Sequence, residues 1–175
     1  LAFDTYACRK NKGSHAAVKR AQYFAGRSTH FLKCDVKKYF PSIDHGTLKR
    51  MLRDIIKDPR FLSLLDIVID HQVPGNPMGK GLPIGNLTSQ YFANLYLSPL
   101  DRFIKERLGA KHYVRYMDDF ILFEDSKDRL CELAPQVESF VQTELQLQLK
   151  ERATTLAPVT EGVPFLGFRV FKNLI

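Results

Sequence analysis

Three aspartates lie where strand-like segments end, and their carboxylates are candidates for metal-dependent chemistry. Asp35 lies near the end of an apolar run at residues 31–36. Asp118 and Asp119 lie between two runs rich in aromatic and β-branched residues, a pattern that predicts a hairpin with two carboxylates at its tip. Asp is also common in turns, so an ordinary hairpin turn is the alternative interpretation of this pair.

Bringing these carboxylates together would require a cation. Two like charges about 4 Å apart repel by about 4 kcal/mol at an effective dielectric constant of 20. Hard oxygen ligands favour Mg²⁺, with Mn²⁺ as a substitute. Two such ions about 3.5 to 4 Å apart would hold the attacking hydroxyl and the departing pyrophosphate of an in-line phosphoryl transfer. We therefore predict that Asp35, Asp118 and Asp119 are the catalytic residues and metal ligands of a polymerase-type site with two Mg²⁺ ions.

The composition favours a nucleic-acid partner. The 26 Lys and Arg outnumber the 19 Asp and Glu, giving a net charge of +7 and a pI near 9.4, which favours polyanions through phosphate neutralisation. The three cysteines are widely spaced without a C-x-x-C pair, so we expect neither a disulfide framework nor a zinc knuckle, and a reducing, cytoplasmic setting. No apolar run approaches the roughly 18 residues of a membrane span, and no signal peptide is visible, so no membrane association is expected.

Apolar periodicity predicts the elements around the aspartates. Helical spacing follows the first strand twice, before and after Pro59, and a loop rich in Pro and Gly follows at residues 74–85. A further helix is predicted from Thr88 toward Leu108, with a kink or break at Pro99.

The remaining segments complete a recognisable order. A long amphipathic helix follows the hairpin, and residues 147–150 and 165–171 resemble closing strands. The order strand, helices, strand, strand, helix, strand matches the ferredoxin-like βαββαβ arrangement, an antiparallel sheet with helices on one face. Residues 1–30 are basic and rich in small residues, which we interpret as a mobile basic lobe.

Several motifs, in the expected order, resemble those of reverse transcriptases. They correspond to the family's first catalytic motif, its nucleotide- and template-binding loop, its Y-x-D-D box, the lysine of its fourth motif and its primer grip. In that order they are Asp35 with Phe40 five residues later, Gly-Leu-Pro-Ile-Gly-Asn-Leu-Thr-Ser-Gln at residues 81–90, Tyr-Met-Asp-Asp at residues 116–119, Lys150, and Phe-Leu-Gly-Phe at residues 165–168.

The resemblance implies a fold and a domain organisation. The fold would be α+β, a polymerase palm with the ferredoxin-like βαββαβ antiparallel sheet and helices on one face, together with a partial basic fingers lobe and without a thumb. We expect residues 1–30 to be partial fingers and residues 31–175 to be palm, with fingers-type helices inserted at about residues 44–85.

Within the family, Ile-Gly-x-x-x-Ser-Gln at residues 84–90 is most similar to reverse transcriptases of diversity-generating retroelements. Group II intron-like bacterial enzymes, which usually carry Gln-Gly-x-x-x-Ser-Pro there, are the next resemblance, and retron, CRISPR-associated and abortive-infection enzymes are further alternatives. The resemblance implies a low-fidelity RNA-directed DNA polymerase that adds dNTPs to a primer 3′-OH. Its partners would be an RNA template, a DNA or RNA primer and an accessory protein of the retroelement. The alternative function is a truncated or non-catalytic palm that binds nucleic acid.

The resemblance also assigns roles to residues near the aspartates. The backbone carbonyl of Val36 would be a further metal ligand, and Lys150 would protonate or neutralise the leaving pyrophosphate. Phe40 would act as a steric gate that favours dNTP over rNTP, with core packing beside Tyr39 as the alternative.

The nucleotide-binding loop contributes further candidates. Ile84 lies where accurate relatives place a glutamine against the nucleotide, so it would loosen nucleotide selection unless it only fills a turn. Gly85 would let the backbone approach the substrate closely. Gln90 and Asn94, one helical turn apart, would face template or substrate, with capping and helix packing as the alternative.

The basic N-terminal segment supplies the last candidates. Arg9, Lys10 and Lys12 resemble the fingers residues that clamp the triphosphate, where a guanidinium suits phosphate oxygens well. A solvated basic face is the alternative interpretation of these three residues.

Overall fold

The computed structural model describes residues 2–71, 73–151 and 154–174. A βαββαβ core is preceded by an N-terminal helix and followed by a small hairpin. The helices are α1 (Ser14–Ala25), α2 (Tyr39–Ser42), α3 (His45–Ile55), α4 (Pro59–Ile69), α5 (Leu87–Tyr96), α6 (Ser98–Arg102) and α7 (Lys127–Thr143). The strands are β1 (His30–Asp35), β2 (His112–Tyr116), β3 (Asp119–Glu124), β4 (Thr155–Pro158), β5 (Val163–Phe165) and β6 (Phe168–Val170).

The central sheet has four strands in the order β2-β3-β1-β4, and every neighbouring pair is antiparallel. This is the strand order of a ferredoxin-like sheet, so the predicted α+β fold class is confirmed. The register places His30 opposite Glu124 at one end of the β1–β3 pair and Asp35 opposite Asp119 at the other end.

Side-chain alternation gives this sheet two buried faces. Leu32 and Leu122 point into the larger core, which contains the helices between the strands and α7. Phe31 and Ile121 point into a second core on the opposite face. That second core is built with the β5–β6 hairpin and with α1, which the sequence did not place on the sheet.

The N-terminal helix is therefore part of the packed structure. Its buried residues Ala17, Ala21 and Phe24 belong to the second core, which differs from the mobile lobe that we expected from residues 1–30. Before it, the buried carboxylate of Asp4 pairs with Arg20 at 2.8 Å. Small residues at helical spacing allow α1 to approach the sheet closely, and this explains their abundance.

The helices of the larger core begin and end close to the predicted positions. The Asp44 carboxylate caps α3 by accepting from the Thr47 amide at 2.7 Å, and Pro59 opens α4. The predicted long helix after Thr88 is divided as expected near Pro99, into α5, α6 and a π-helical turn at Phe103–Arg107. None of the helices in the described part of the chain has the length and apolarity needed to cross a bilayer.

The closing strands lie elsewhere than we predicted. The fourth strand of the sheet is β4, whereas residues 147–150 form only a single bridge, between Leu149 and Val36. Their backbone contacts the chain just at the end of β1, where the amide of Lys37 donates to the carbonyl of Gln148 at 2.7 Å. Residues 165–171 contribute to the separate β5–β6 hairpin rather than to the central sheet.

Candidate active site

The β2–β3 hairpin turns through two residues. Tyr116 pairs with Asp119, which leaves Met117 and Asp118 to form the turn. Met117 has φ +56°, a left-handed conformation that costs a non-glycine residue on the order of 1–3 kcal/mol and persists only where neighbouring structure enforces it. The carbonyl of Met117 accepts a hydrogen bond from the buried Arg115 guanidinium at 2.8 Å.

The turn carries its aspartates to the end of β1, where the third aspartate lies. Asp35 and Asp119 are direct partners across the β1–β3 ladder. The amide of Val36 donates to the carbonyl of Asp118 at 3.3 Å, which ties the turn to the residue after Asp35. The three predicted catalytic aspartates therefore lie together at one end of the sheet.

Two lysines supply positive charge to these carboxylates. The ammonium group of Lys150 lies 2.7 Å from Asp35 Oδ1, and that of Lys33 lies 3.2 Å from Asp119 Oδ1. The backbone amide of Lys150 also donates to the carbonyl of Asp35 at 2.8 Å. We did not predict Lys33 as a site residue. It lies two positions before Asp35 on β1, so strand alternation places both side chains on the same face.

The donors in this cluster suit a hard divalent cation. Asp35 Oδ1 and Asp119 Oδ1 are both buried, and among the described residues their polar contacts are the Lys150 and Lys33 ammonium groups. Within residues 2–71, 73–151 and 154–174, no three His, Cys, Asp or Glu side chains are close enough together to hold a metal ion as they stand. Cation binding would thus require the carboxylates to exchange their lysine contacts for metal contacts.

Burial and mutual repulsion change the acidity of the cluster. The pKa of Asp119 is raised to about 6, chiefly by burial, with smaller contributions from the charges of Asp35 and Asp118 and with Lys33 opposing the shift. Burial likewise raises the pKa of Asp118. The pKa of Lys150 is raised by its ion pair with Asp35, which favours the charged ammonium form. A bound cation would lower these raised carboxyl pKa values and stabilise the ionised carboxylates.

Two predicted substrate-contacting segments lie beside each other near the aspartates. The amide of Leu82 donates to the carbonyl of Phe40 at 3.0 Å, which joins the predicted nucleotide-binding loop to the chain after β1. Phe40 is partly buried, with its ring 5.8 Å from that of Tyr39 in an edge-on arrangement. This position is compatible both with a steric gate and with core packing.

The loop then presents its tip to solvent. The side chain of Ile84 is 79% exposed, so it does not fill a turn by packing inside the protein. Gly85 has φ +100°, a conformation that favours glycine, and apart from its chain neighbours no atom in the described part of the chain lies within 4 Å of where its Cβ would be. The backbone at Gly85 is therefore open to close approach by a ligand.

The two polar residues on α5 have different environments. Gln90 is partly buried and accepts from the Cys8 thiol at 3.1 Å. Asn94 is fully buried, donates to the carbonyl of Ala7 at 2.6 Å and accepts from Arg115 at 3.1 Å. These contacts favour the alternative that Asn94 packs within the protein over the hypothesis that it faces template or substrate.

The three basic candidates of the N-terminal segment also differ. The Arg9 guanidinium donates to the carbonyl and the hydroxyl of Thr5, and the Lys12 ammonium contacts the carbonyl and the ring of Phe3. Lys10 is exposed to solvent. Arg9 and Lys12 would have to leave these local contacts to clamp a triphosphate, so that role stays a prediction.

Sequence reasoning did not single out Arg115, which lies directly before the Y-x-D-D box. It is fully buried and paired with the equally buried Asp101 at 2.7 Å. The signal that could have found it is an arginine within an otherwise apolar strand, since buried charges are seldom tolerated without a partner.

The chain is similar in sequence to proteins of Escherichia coli and Lactococcus lactis. Protein YkfC of Escherichia coli strain K12 is 23% identical over 210 aligned positions, covering 97% of this chain and 55% of YkfC. The group II intron-encoded protein LtrA of Lactococcus lactis is 22% identical over 232 positions, covering 95% of this chain and 39% of LtrA. The chain thus spans about half or less of the length of these relatives. The resemblance to diversity-generating retroelement enzymes stays a prediction.

Solved structures share the fold. Apo telomerase of Candida tropicalis, truncated from its C-terminal domain, superposes with a TM-score of 0.72 at 14% identity, covering 97% of this chain and 40% of that one. The Candida albicans telomerase in complex with a fragment of telomeric RNA gives a TM-score of 0.73 at 11% identity, covering 98% and 34%. The family described as reverse transcriptase (RNA-dependent DNA polymerase) matches residues 2–170. Because this family model matches nearly the whole chain, this protein belongs to the reverse transcriptase family.

Proposed function

We propose that this chain carries the catalytic centre of an RNA-directed DNA polymerase, which adds dNTPs to a primer 3′-OH by two-metal phosphoryl transfer. The observation that carries the proposal is the meeting of Asp35, Asp118 and Asp119 at one end of the sheet, with buried carboxylate oxygens facing ammonium groups. An ordinary structural turn would not require aspartates from β1 and from the hairpin to lie at the same end of the sheet against their mutual repulsion.

Divalent ions held by Asp35, Asp118, Asp119 and the Val36 carbonyl would stabilise the charge on the attacking and leaving oxygens of the transfer. The chain's own residues would position the reactants. The exposed backbone at Gly85 would approach the nucleotide, and the Phe40 ring would lie near its sugar and exclude a 2′-hydroxyl. Lys150, held in its charged form by Asp35, would neutralise the departing pyrophosphate or donate a proton to it.

The partners that fit this site are nucleic acids and dNTPs. A net charge of +7 favours binding to a template RNA and a primer through their phosphates. LtrA is named as a group II intron-encoded protein, and one structural relative was solved with telomeric RNA, which supports RNA as the template class. We further propose that residues 1–30 belong to the fingers and residues 31–175 to the palm, and that a retroelement accessory protein assists.

Low fidelity is the finer part of the proposal. Ile84 extends into solvent at the tip of the nucleotide-binding loop, where it can contact a nucleotide but cannot donate a hydrogen bond. Nucleotide selection by Ile84 would then rest on shape alone. An apolar contact that differs by about one methylene group discriminates only weakly between substrates.

Primer extension tests the proposal. The assay uses an oligo-rA template with an oligo-dT primer, dTTP and Mg²⁺, and compares the wild-type chain with Asp118→Asn and with the exposed-site control Asp125→Asn. We expect extension by the wild type and by Asp125→Asn, and none by Asp118→Asn with its fold retained. Equal extension by Asp118→Asn would refute the metal role. Template binding without extension by any of the three would favour the non-catalytic palm.

A further inference from the structure

The Arg115 side chain forms a buried network under the catalytic turn. Its guanidinium pairs with both oxygens of Asp101, through Nε to Oδ1 at 2.7 Å and through Nη2 to Oδ2 at 2.7 Å. It also donates to the side-chain oxygen of Asn94 at 3.1 Å, to the Asn94 carbonyl at 3.3 Å and to the Met117 carbonyl at 2.8 Å. All five N–H groups of the guanidinium are thereby used.

One of these bonds acts directly on the turn. Met117 precedes Asp118, and because the peptide unit is planar, fixing the Met117 carbonyl fixes the plane that leads into Asp118. Met117 also has φ +56°, which a non-glycine residue keeps only under constraint. The hydrogen bond from Arg115 to the Met117 carbonyl supplies such a constraint, and the side chain that donates it is fully buried.

The network is anchored on rigid elements. Asp101 lies on α6 and Asn94 on α5, and Asp101 also accepts from the Tyr113 hydroxyl at 2.8 Å. Asn94 extends the network to the N-terminal segment by donating to the Ala7 carbonyl. A lysine in place of Arg115 could pair with Asp101, but its single ammonium group could not span both Asp101 oxygens and the Met117 carbonyl.

We infer that Arg115, anchored by Asp101 and Asn94, is a positioning residue that sets the conformation of the Met117–Asp118 peptide and so aligns Asp118 and Asp119 for catalysis. The inference rests on the proposed polymerase function for its catalytic consequence. The geometric part, that Arg115 holds the turn, is independent of that function.

The test compares Arg115→Lys with Tyr113→Phe. Tyr113→Phe is the control, because it removes a hydrogen bond to the same buried Asp101 carboxylate and leaves the bond from Arg115 to Met117 in place. Both variants weaken the network, but only Arg115→Lys frees the turn. Hydrogen exchange of a peptide covering residues 116–120 is measured first. We expect faster exchange in Arg115→Lys and unchanged exchange in Tyr113→Phe.

Primer extension provides the second readout. We expect kcat to fall on the order of 10²-fold in Arg115→Lys, as for a small misplacement of catalytic groups, while KM for dTTP stays close to that of the wild type. Tyr113→Phe should keep kcat near the wild-type value even where it lowers thermal stability. If Arg115→Lys does not fold cooperatively, Asp101→Asn replaces it, because that change loosens the anchor and retains the guanidinium.

The outcomes separate the two proposals. Exchange at residues 116–120 that is the same in the folded variant and the wild type would overturn the inference, whatever the activity. A kcat that falls equally in Arg115→Lys and Tyr113→Phe would also overturn it, since the effect would then follow general stability. A wild-type chain without extension, but with a turn that is freed in Arg115→Lys, would count against the polymerase function and leave the positioning role supported.

Discussion

Replacing Asp119 with asparagine is expected to stabilise the metal-free protein at pH 8 while removing a proposed metal ligand. Burial raises the pKa of Asp119 to about 6 from 3.8. At about 1.36 kcal/mol per pKa unit, this shift of about two units corresponds to about 3 kcal/mol. Because the folded carboxyl binds its proton more tightly than the unfolded one, the stability of the metal-free protein falls as pH rises from about 4 to about 6, and stays lower above that range.

Asparagine does not ionise, so the variant escapes this loss. The loss of the Lys33 ion pair offsets part of the gain, since the Lys33 side chain is largely buried and would lose its partner. We therefore expect a net gain of about 1 to 3 kcal/mol at pH 8, which in a chain of this size raises Tm by several degrees, at about 2–4 °C per kcal/mol.

Urea unfolding in EDTA at pH 8 and pH 5 measures the effect. The gain from Asp119→Asn should be about half as large at pH 5. At that pH, ionisation of Asp119 lowers the stability of the wild type by only about half as much as it does at pH 8. The exposed Asp125→Asn variant is the control, and its stability should follow that of the wild type at both pH values. An Asp119→Asn variant no more stable than the wild type at pH 8, or equally stabilised at both pH values, would refute the reasoning.

Three further changes test individual roles. Lys150→Met should lower kcat for primer extension by about 10²- to 10⁴-fold if the ammonium group acts as a general acid, and a rate near that of the wild type would leave it no such role. Ile84→Gln should lower the misincorporation frequency in a sequenced extension product; an unchanged error spectrum would argue against a selective role for Ile84. Phe40→Ala should increase rNTP incorporation relative to dNTP, whereas loss of stability without a change in that ratio would favour core packing.

The sequence predicted that the three aspartates meet at one end of the sheet because local signals there agree, while their catalytic role stays a prediction. Runs rich in aromatic and aliphatic residues predict β1, β2 and β3, and the aspartates lie where those runs end. The βαββαβ arrangement then places β1 beside β3, which brings Asp35 opposite Asp119. The break near Pro99 followed as directly, since proline removes a backbone donor within a helix.

Features that depend on tertiary pairing were not predictable in the same way. Residues 147–150 have a strand-like composition, but whether such a run joins a ladder depends on which strand edge lies beside it. Arg9 and Lys12 are basic in sequence, yet their contacts with Thr5 and Phe3 follow from the local path of the N-terminal segment. The contacts of Arg115 with Asp101 and Asn94 join residues 14 and 21 positions apart in the chain.

Metal binding tests the central claim most directly. Mn²⁺ is titrated by electron paramagnetic resonance into the protein with dTTP and a primer–template whose primer lacks a 3′-hydroxyl, comparing the wild type with Asp35→Asn and Asp125→Asn. We expect Mn²⁺ bound to the protein complex in the wild type and in Asp125→Asn, and much weaker binding in Asp35→Asn with its fold intact. Equal Mn²⁺ binding in all three proteins would contradict the assignment of the aspartates as the metal site.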